Sequence, residues 1–188
     1  PTPPLDTAAA RAGRAGPDGR AVRVTAATGC GLVTVMTRPD HQDDLARRLD
    51  AGLGLSLPGP GASVESGELH LLWAGLDKWY VQAPEMSGPA LLARLAAVCE
   101  GVPAALADQS HGQVPLRIDG PGAADLLAAG APLDLTPAVF GVGRVAATAL
   151  SHVPVLIWHR REQDYQVLVQ RGFARELWDF LAAHVATG

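Results

Sequence analysis

Apolar positions along this chain follow two rhythms, every second residue in some stretches and every fourth in others, and the alternation of the two predicts its elements. Ala21 to Met36 is rich in Val and Thr and broken at Gly29-Cys30-Gly31, which fits two strands or one kinked strand. Leu45, Leu49 and Leu53 then repeat at helical spacing. Thr37-Arg38-Pro39-Asp40 is expected to open that helix, with Thr37 as cap, and Gly52 and Gly54 to stop it. Leu55 to Gly67 reads as a Pro/Gly/Ser loop. Leu69, Leu71 and Trp73 alternate as a strand with His70 toward solvent, Gly75 to Asp77 turns, and Lys78 to Gln82 returns. Ser87-Gly88-Pro89 starts a helix striped by Leu91, Leu95 and Val98, and Ala105 to Ser110 re-enters as a strand.

The same order recurs downstream. Val114, Leu116 and Ile118 alternate, Gly120-Pro121 starts a short helix through Leu127, and Arg144 to Leu150 and Val153 to His159 read as strands. Arg160 to Gln163 is a charged turn, Tyr165, Val167 and Val169 form the return strand, and Phe173, Leu177 and Leu181 stripe a last helix. Leu69–Val98 therefore parallels Val153–Val185. The fold class that follows is α+β, with two related split-βαβ (ferredoxin-like) subdomains. Their expected limits are a flexible N-terminal arm at 1–20, a first subdomain at 21–110 and a second at 111–188. Pro115 and Pro154, inside strand patterns, predict edge positions or bulges.

Composition narrows the function classes. With 48% hydrophobic and 18% charged residues the chain has material for a real core. Its apolar runs are strand-sized, too short for a membrane span, and the Pro-, Ala- and Arg-rich stretch at its start contains no apolar h-region, so a cytoplasmic location is expected. A net charge of −4, with no basic run longer than Arg160-Arg161, argues against nucleic acid as partner. Cys30 and Cys99 are far apart in sequence and read as reduced, semi-buried thiols, although one disulfide would also fit.

Candidate chemistry is thin. Asp108, Ser110 and His111 are hydrolase residue types, but on a strand Asp108 and Ser110 share a face while His111 points away, so acid, base and nucleophile do not line up. A structural role at a turn is expected. Gly29-x-Gly31 and Gly141-x-Gly143 lack the third glycine and the strand-loop-helix context of a dinucleotide site, and read as turn or bulge glycines. His152 and His159 stand about 23 Å apart at strand rise, too far to share an ion. Trp73, Trp79, Trp158 and Trp178 read as core or subunit interface. No catalytic, cofactor-binding or metal residue is assigned to this chain.

The run Asp108-Gln109-Ser110-His111-Gly112, followed by Leu116-Arg117-Ile118-Asp119-Gly120-Pro121 and Ala124-Asp125-Leu126-Leu127, resembles a signature of the folate-binding aminomethyltransferase superfamily, which includes the T-protein of the glycine cleavage system. Within it the chain is most similar to the gamma subunits of heterotetrameric sarcosine oxidase. The residues that carry this are Asp77-Lys78-Trp79-Tyr80-Val81, Pro132-Leu133-Asp134-Leu135, Phe140, Gly143, Thr148, Val155-Leu156-Ile157-Trp158, Tyr165 and Arg171 through Phe180.

The resemblance implies a complex that demethylates sarcosine oxidatively to glycine. The one-carbon unit passes to tetrahydrofolate or leaves as formaldehyde, and hydrogen peroxide is produced. It implies alpha, beta and delta subunits as partners, with FAD, FMN and NAD in alpha and beta and zinc in delta. The T-protein pattern carries Asn-x-x-Gly-Gly-x-x-Asp-Asp just after the strand equivalent to Arg144–Leu150. Here the chain reads Ser151-His152-Val153-Pro154, where only His152 is ionisable, so the resemblance implies a structural rather than a catalytic subunit. Trp158, Trp178, Phe180 and His111 are the residues expected at the interface with the alpha subunit. Two other readings fit the same elements: a stand-alone folate-dependent one-carbon transferase and a small-molecule-sensing regulatory domain.

Overall fold

In the computed structural model, which describes residues 10–27 and 29–185, the elements sort into two units, one of Gly29–His111 and one built from the segments before and after it. The inner unit runs β3 (Gly31–Thr37), α1 (Gln42–Leu53), β4 (Ser63–Ser66), β5 (Leu69–Gly75), β6 (Lys78–Ala83), α2 (Gly88–Val98) and β7 (Ala104–Asp108). The outer unit has β1 (Ala10–Ala15) and β2 (Arg20–Ala26) ahead of it, then β8 (Gln113–Asp119), α3 (Ala123–Ala128), β9 (Val145–Leu150), β10 (Val153–Arg161), β11 (Asp164–Gln170) and α4 (Ala174–Ala183).

The inner sheet is antiparallel in the order β4-β5-β6-β3-β7. Without β4, its strands form a split βαβ pair, β3-α1-β5 interleaved with β6-α2-β7. The predicted helical stripes supply its core: Leu45, Leu49 and Leu53 of α1 and Leu91 and Leu95 of α2 close over Val33, Val35, Leu71 and Val81. Each fully buried leucine contributes about 1.5–3 kcal/mol. Gly54, left-handed at φ 65, ends α1 with its amide on the Asp50 carbonyl.

The outer sheet, also antiparallel, has the order β1-β2-β8-β11-β10-β9. Here β8, β10 and β11 with α3 and α4 repeat the inner arrangement, but the fourth strand comes from the other end of the sequence: β2 lies beside β8 where β7 lies beside β3. Leu126, Leu127, Leu177 and Leu181 pack with Leu116, Ile118, Ile157 and Val167. The repeat read from the apolar pattern is thus present, one copy continuous and the other joined from two segments.

Several expectations are corrected. The arm assigned to residues 1–20 includes β1 and the start of β2; residues 1–9 of it lie outside the described residues. Alternation of small Ala with Arg and Gly gave β1 no apolar signature, and its pairing with β2 decides its state instead. Residues 21–27 accordingly leave the first subdomain for the second unit. Thr37 caps nothing: it ends β3, buried, and its hydroxyl donates to the Pro103 carbonyl at 2.9 Å. The 55–67 loop holds β4, whose Ser-rich composition conceals it.

His70 is only 7% exposed, because β5 is an interior strand whose residues Leu69 to Leu72 are all buried, so alternation there does not mean a solvent face. Pro115 and Pro154 sit on interior strands, not edges. Each is tolerated where a neighbour runs out: β2 pairs with β8 only from Leu116 onward, and β11 with β10 only from Val155 onward.

Candidate functional site

The Asp108–Gly112 run is the sequence's nearest approach to an active-site constellation, and it lies where β7 leaves the inner sheet beside β3, with Asp108 opposite Val33. Ser110 has folded back onto Asp108. Its amide donates to Asp108 Oδ1 at 2.9 Å and its hydroxyl donates to the same oxygen at 2.6 Å. The hydroxyl oxygen in turn accepts the Leu32 amide at 2.9 Å, and the Gln109 amide donates to the Leu32 carbonyl at 2.7 Å. Asp108 and Ser110 thereby extend the β3–β7 ladder after the strand itself has ended.

The same two side chains press on Gly88, the first residue of α2: a methyl group there would collide with Ser110 Oγ and with both carboxylate oxygens of Asp108. Ser87 makes no side-chain cap on this helix, so the Asp108 carboxylate supplies negative charge at its positive end. Sequence reasoning placed Asp108 and Ser110 on one face, which they share. It missed Gly88, whose only signal was its place beside Pro89.

The Ser110 hydroxyl, followed by the Ser110 amide, holds the Asp108 carboxyl below the usual carboxylate range, with a smaller contribution from His111. A carboxyl depressed in the folded state stabilises above its unfolded pKa, near 4, and that stabilisation is lost as pH falls through the folded value. Acid titration of the melting temperature from about pH 5 to about pH 3 should therefore fall less steeply for Asp108→Asn than for the wild type. Equal slopes would show that the Ser110 bonds contribute nothing to acid sensitivity.

His111 is exposed, and the geometry does not join it to Ser110 as a base to a nucleophile. The remaining interface candidates separate. Trp158 is 1% exposed, so the folded chain does not offer it as a contact surface; it stands beneath the Arg160 guanidinium, 5.3 Å from its ring centroid. Its burial follows from β10 being an interior strand buried on both faces. Trp178 and Phe180 of α4 are half-buried and pack against the outer unit's core. Phe180 also packs, tilted, against the His184 ring at 4.2 Å and leaves no room for a side chain at Gly130.

His152 forms, with Ser151, the two-residue β9–β10 turn, both left-handed at φ 72 and 50. His159 is buried, its Nδ1 2.7 Å from the Phe140 carbonyl and its ring stacked on Tyr165 at 4.2 Å. Gly143, at φ 87, is a bulge: its amide and the Arg144 carbonyl both bond His159, and Arg144 closes a turn onto Gly141. Gly31 opens β3. Neither glycine pair precedes a helix, so the residues present do not fit a dinucleotide phosphate.

Cys30 and Cys99 are free, and burial pushes both thiols up. Among the described residues no group of three His, Cys, Asp or Glu side chains is placed to hold a metal ion, and no helix is long and apolar enough to cross a membrane.

Residues 38–187 match the sarcosine oxidase, gamma subunit family. A sarcosine oxidase subunit gamma from an Arthrobacter species is 40% identical over 123 residues, 64% of this chain and 59% of that protein, so the aligned stretch spans less than two thirds of the relative. A chain of the heterotetrameric sarcosine oxidase from Corynebacterium sp. U-96 superposes with a TM-score of 0.80 at 29% identity, covering 92% of this chain and 86% of that one. The aminomethyltransferase T of the glycine cleavage system from Bartonella henselae shares the fold, with a TM-score of 0.59 at 18% identity over 84% of this chain and 44% of that chain.

Proposed function

This chain belongs to the sarcosine oxidase gamma subunit family, and from that premise we propose that it is the non-catalytic, structural subunit of a heterotetrameric sarcosine oxidase. The whole complex then demethylates sarcosine to glycine, with the one-carbon unit passed to tetrahydrofolate or released as formaldehyde and with hydrogen peroxide formed. Alpha, beta and delta subunits are its partners, in the cytoplasm. FAD, FMN, NAD and zinc belong to those other subunits.

The observation that carries this reading is the use already made of Ser110. Its hydroxyl donates to Asp108 and accepts from the Leu32 amide, bonds that tie the end of β7 to β3, while the same oxygen packs against Gly88 at the start of α2. A nucleophile needs a hydroxyl whose proton a base removes, and here the nearest acceptor is a depressed carboxylate, a poor base. At the β9–β10 turn, where the transferase pattern has its paired carboxylates, Ser151 and His152 fill both turn positions.

Turnover of the assembled oxidase separates the two roles. His111→Ala and Ser110→Ala should each leave kcat within a few-fold. Ser110→Ala should lower the stability of this chain by about 1–3 kcal/mol, because it leaves the Leu32 amide and the Asp108 carboxylate short of a partner. A kcat loss of several orders of magnitude in a complex that still assembles would place these residues in chemistry and overturn the reading.

A further inference from the structure

The two units repeat one arrangement, so their edges can be compared position by position. In both, an extra strand lies outside the first strand of the central hairpin: β4 beside β5 and β9 beside β10. β4 is short, four residues, and carries Ser63, Glu65 and Ser66. β1, at the far edge of the outer sheet, carries Arg11 and Arg14, and β7 is bounded by Pro103 and Asp108. Charge, proline and brevity are the usual protections of a free edge. β9 has none of them within its length: Val145, Ala146, Ala147, Thr148, Ala149 and Leu150 are six uncharged residues.

The hydrogen-bond phase of that edge follows from the bulge at its start. The His159 amide bonds the Arg144 carbonyl, so the bonded pairs continue through Ile157 with Ala146, Val155 with Thr148 and Val153 with Leu150. Val145, Ala147 and Ala149 therefore direct their amides and carbonyls away from β10, and among the described residues no strand receives them. Ala147, at the centre, is exposed.

Apolar surface continues past both ends of this edge. Just before it, Val139 and Val142 are 55% and 57% exposed. At its other end Ala149 and Ser151 border an open cleft of about 400 Å³ whose apolar wall includes Phe180, Pro132 and Gly130.

We propose that β9 is a strand-addition site, where an extended, uncharged segment of another subunit of the oxidase pairs with Val145–Leu150 and seats an apolar side chain against Phe180. Main-chain bonds to the three outward residues supply affinity, and the Phe180 cleft supplies selection. The inference rests on the structural-subunit reading. That reading also chooses the occupant: a complex of four different subunits holds one copy of this chain, so a second copy is not there to pair with the edge.

The test uses the complex. Ala147→Pro removes an amide that faces away from β10, a kind of strand site where proline is tolerated, and Ala147→Lys adds a charge at the same point. Both variants should keep the wild-type melting temperature in the isolated chain yet associate with the other subunits about tenfold more weakly or worse. In the wild-type complex, the Val145, Ala147 and Ala149 amides should exchange at least about tenfold more slowly than in the chain alone.

If Ala147→Lys assembles like wild type and those amides stay as fast in the complex as outside it, the edge proposal fails while the structural-subunit reading stands. If the wild-type chain does not associate with the other subunits, both fail. Protection of the edge in the chain alone, with a concentration-dependent doubling of mass, would assign it to a second copy and overturn the proposal.

Discussion

Gly120→Ala is expected to destabilise the outer unit by about 2–6 kcal/mol, a shift of roughly 10 °C in melting temperature for a chain of this size. Two costs add at this position. Gly120 has φ 115, a conformation closed to residues with a Cβ, and a methyl group there would lie 2.6 Å from the Ala21 carbonyl and 3.2 Å from the Val22 Cα. Those contacts are backbone and do not rotate aside. They belong to β2, so relief of the clash means separating β2 from β8 and with it the β1–β2 hairpin. Hydrogen exchange should show the β1–β2 amides deprotected first while the inner unit stays closed. A melting temperature within about 2 °C of wild type would show that β2 yields without loss.

Trp158→Ala is expected to cost about 3–5 kcal/mol, from lost transfer energy and the cavity left by a side chain only 1% exposed. The contact under the Arg160 guanidinium adds a smaller amount. Trp178→Ala should cost distinctly less, because Trp178 is half-buried and its site can refill with water. Thermal unfolding of the isolated chain ranks the two. If Trp178 proves the more costly, the division drawn here between a core tryptophan and a surface-accessible one is wrong.

That division marks what sequence could and could not reveal. Where one face of an element meets the core, as with Leu45, Leu49 and Leu53 or Phe173, Leu177 and Leu181, spacing alone reveals the helix; only Phe173, just ahead of α4, ends up largely exposed. Strand periodicity misleads where both faces are buried: His70 occupies an alternate position that looks like solvent and is buried, and Trp158, which fits core or interface by its spacing, lies in the core of the folded chain.

Proline carried the wrong inference for a geometric reason. Its missing amide matters only on the side where a neighbour is paired, and Pro115 and Pro154 lie just past the end of one. β1 and β4 were invisible because Ala, Gly, Ser and Arg carry no apolar rhythm; pairing across the chain makes them strands. In the Asp108–Gly112 run the expectation of a turn was legible from spacing. The partner that explains it, Gly88, approaches from twenty residues upstream, and no local pattern connects the two.

The split origin of the outer sheet also sets a timetable. Arg23 emerges during synthesis 96 positions ahead of the Asp119 it will pair with. At about 5–20 residues per second, the β1–β2 hairpin waits about 5–20 s for β8. Most of what is made in that interval, Gly29–His111, is the inner unit, whose strands pair only with one another, so it can close while the hairpin is still unmatched. Arg11, Arg14, Arg20 and Arg23, exposed or half-exposed in the finished protein, would then keep a two-stranded ribbon in solution during the wait. The arginines that hid β1 from a hydrophobic reading are, on the ribosome, what lets it be born early.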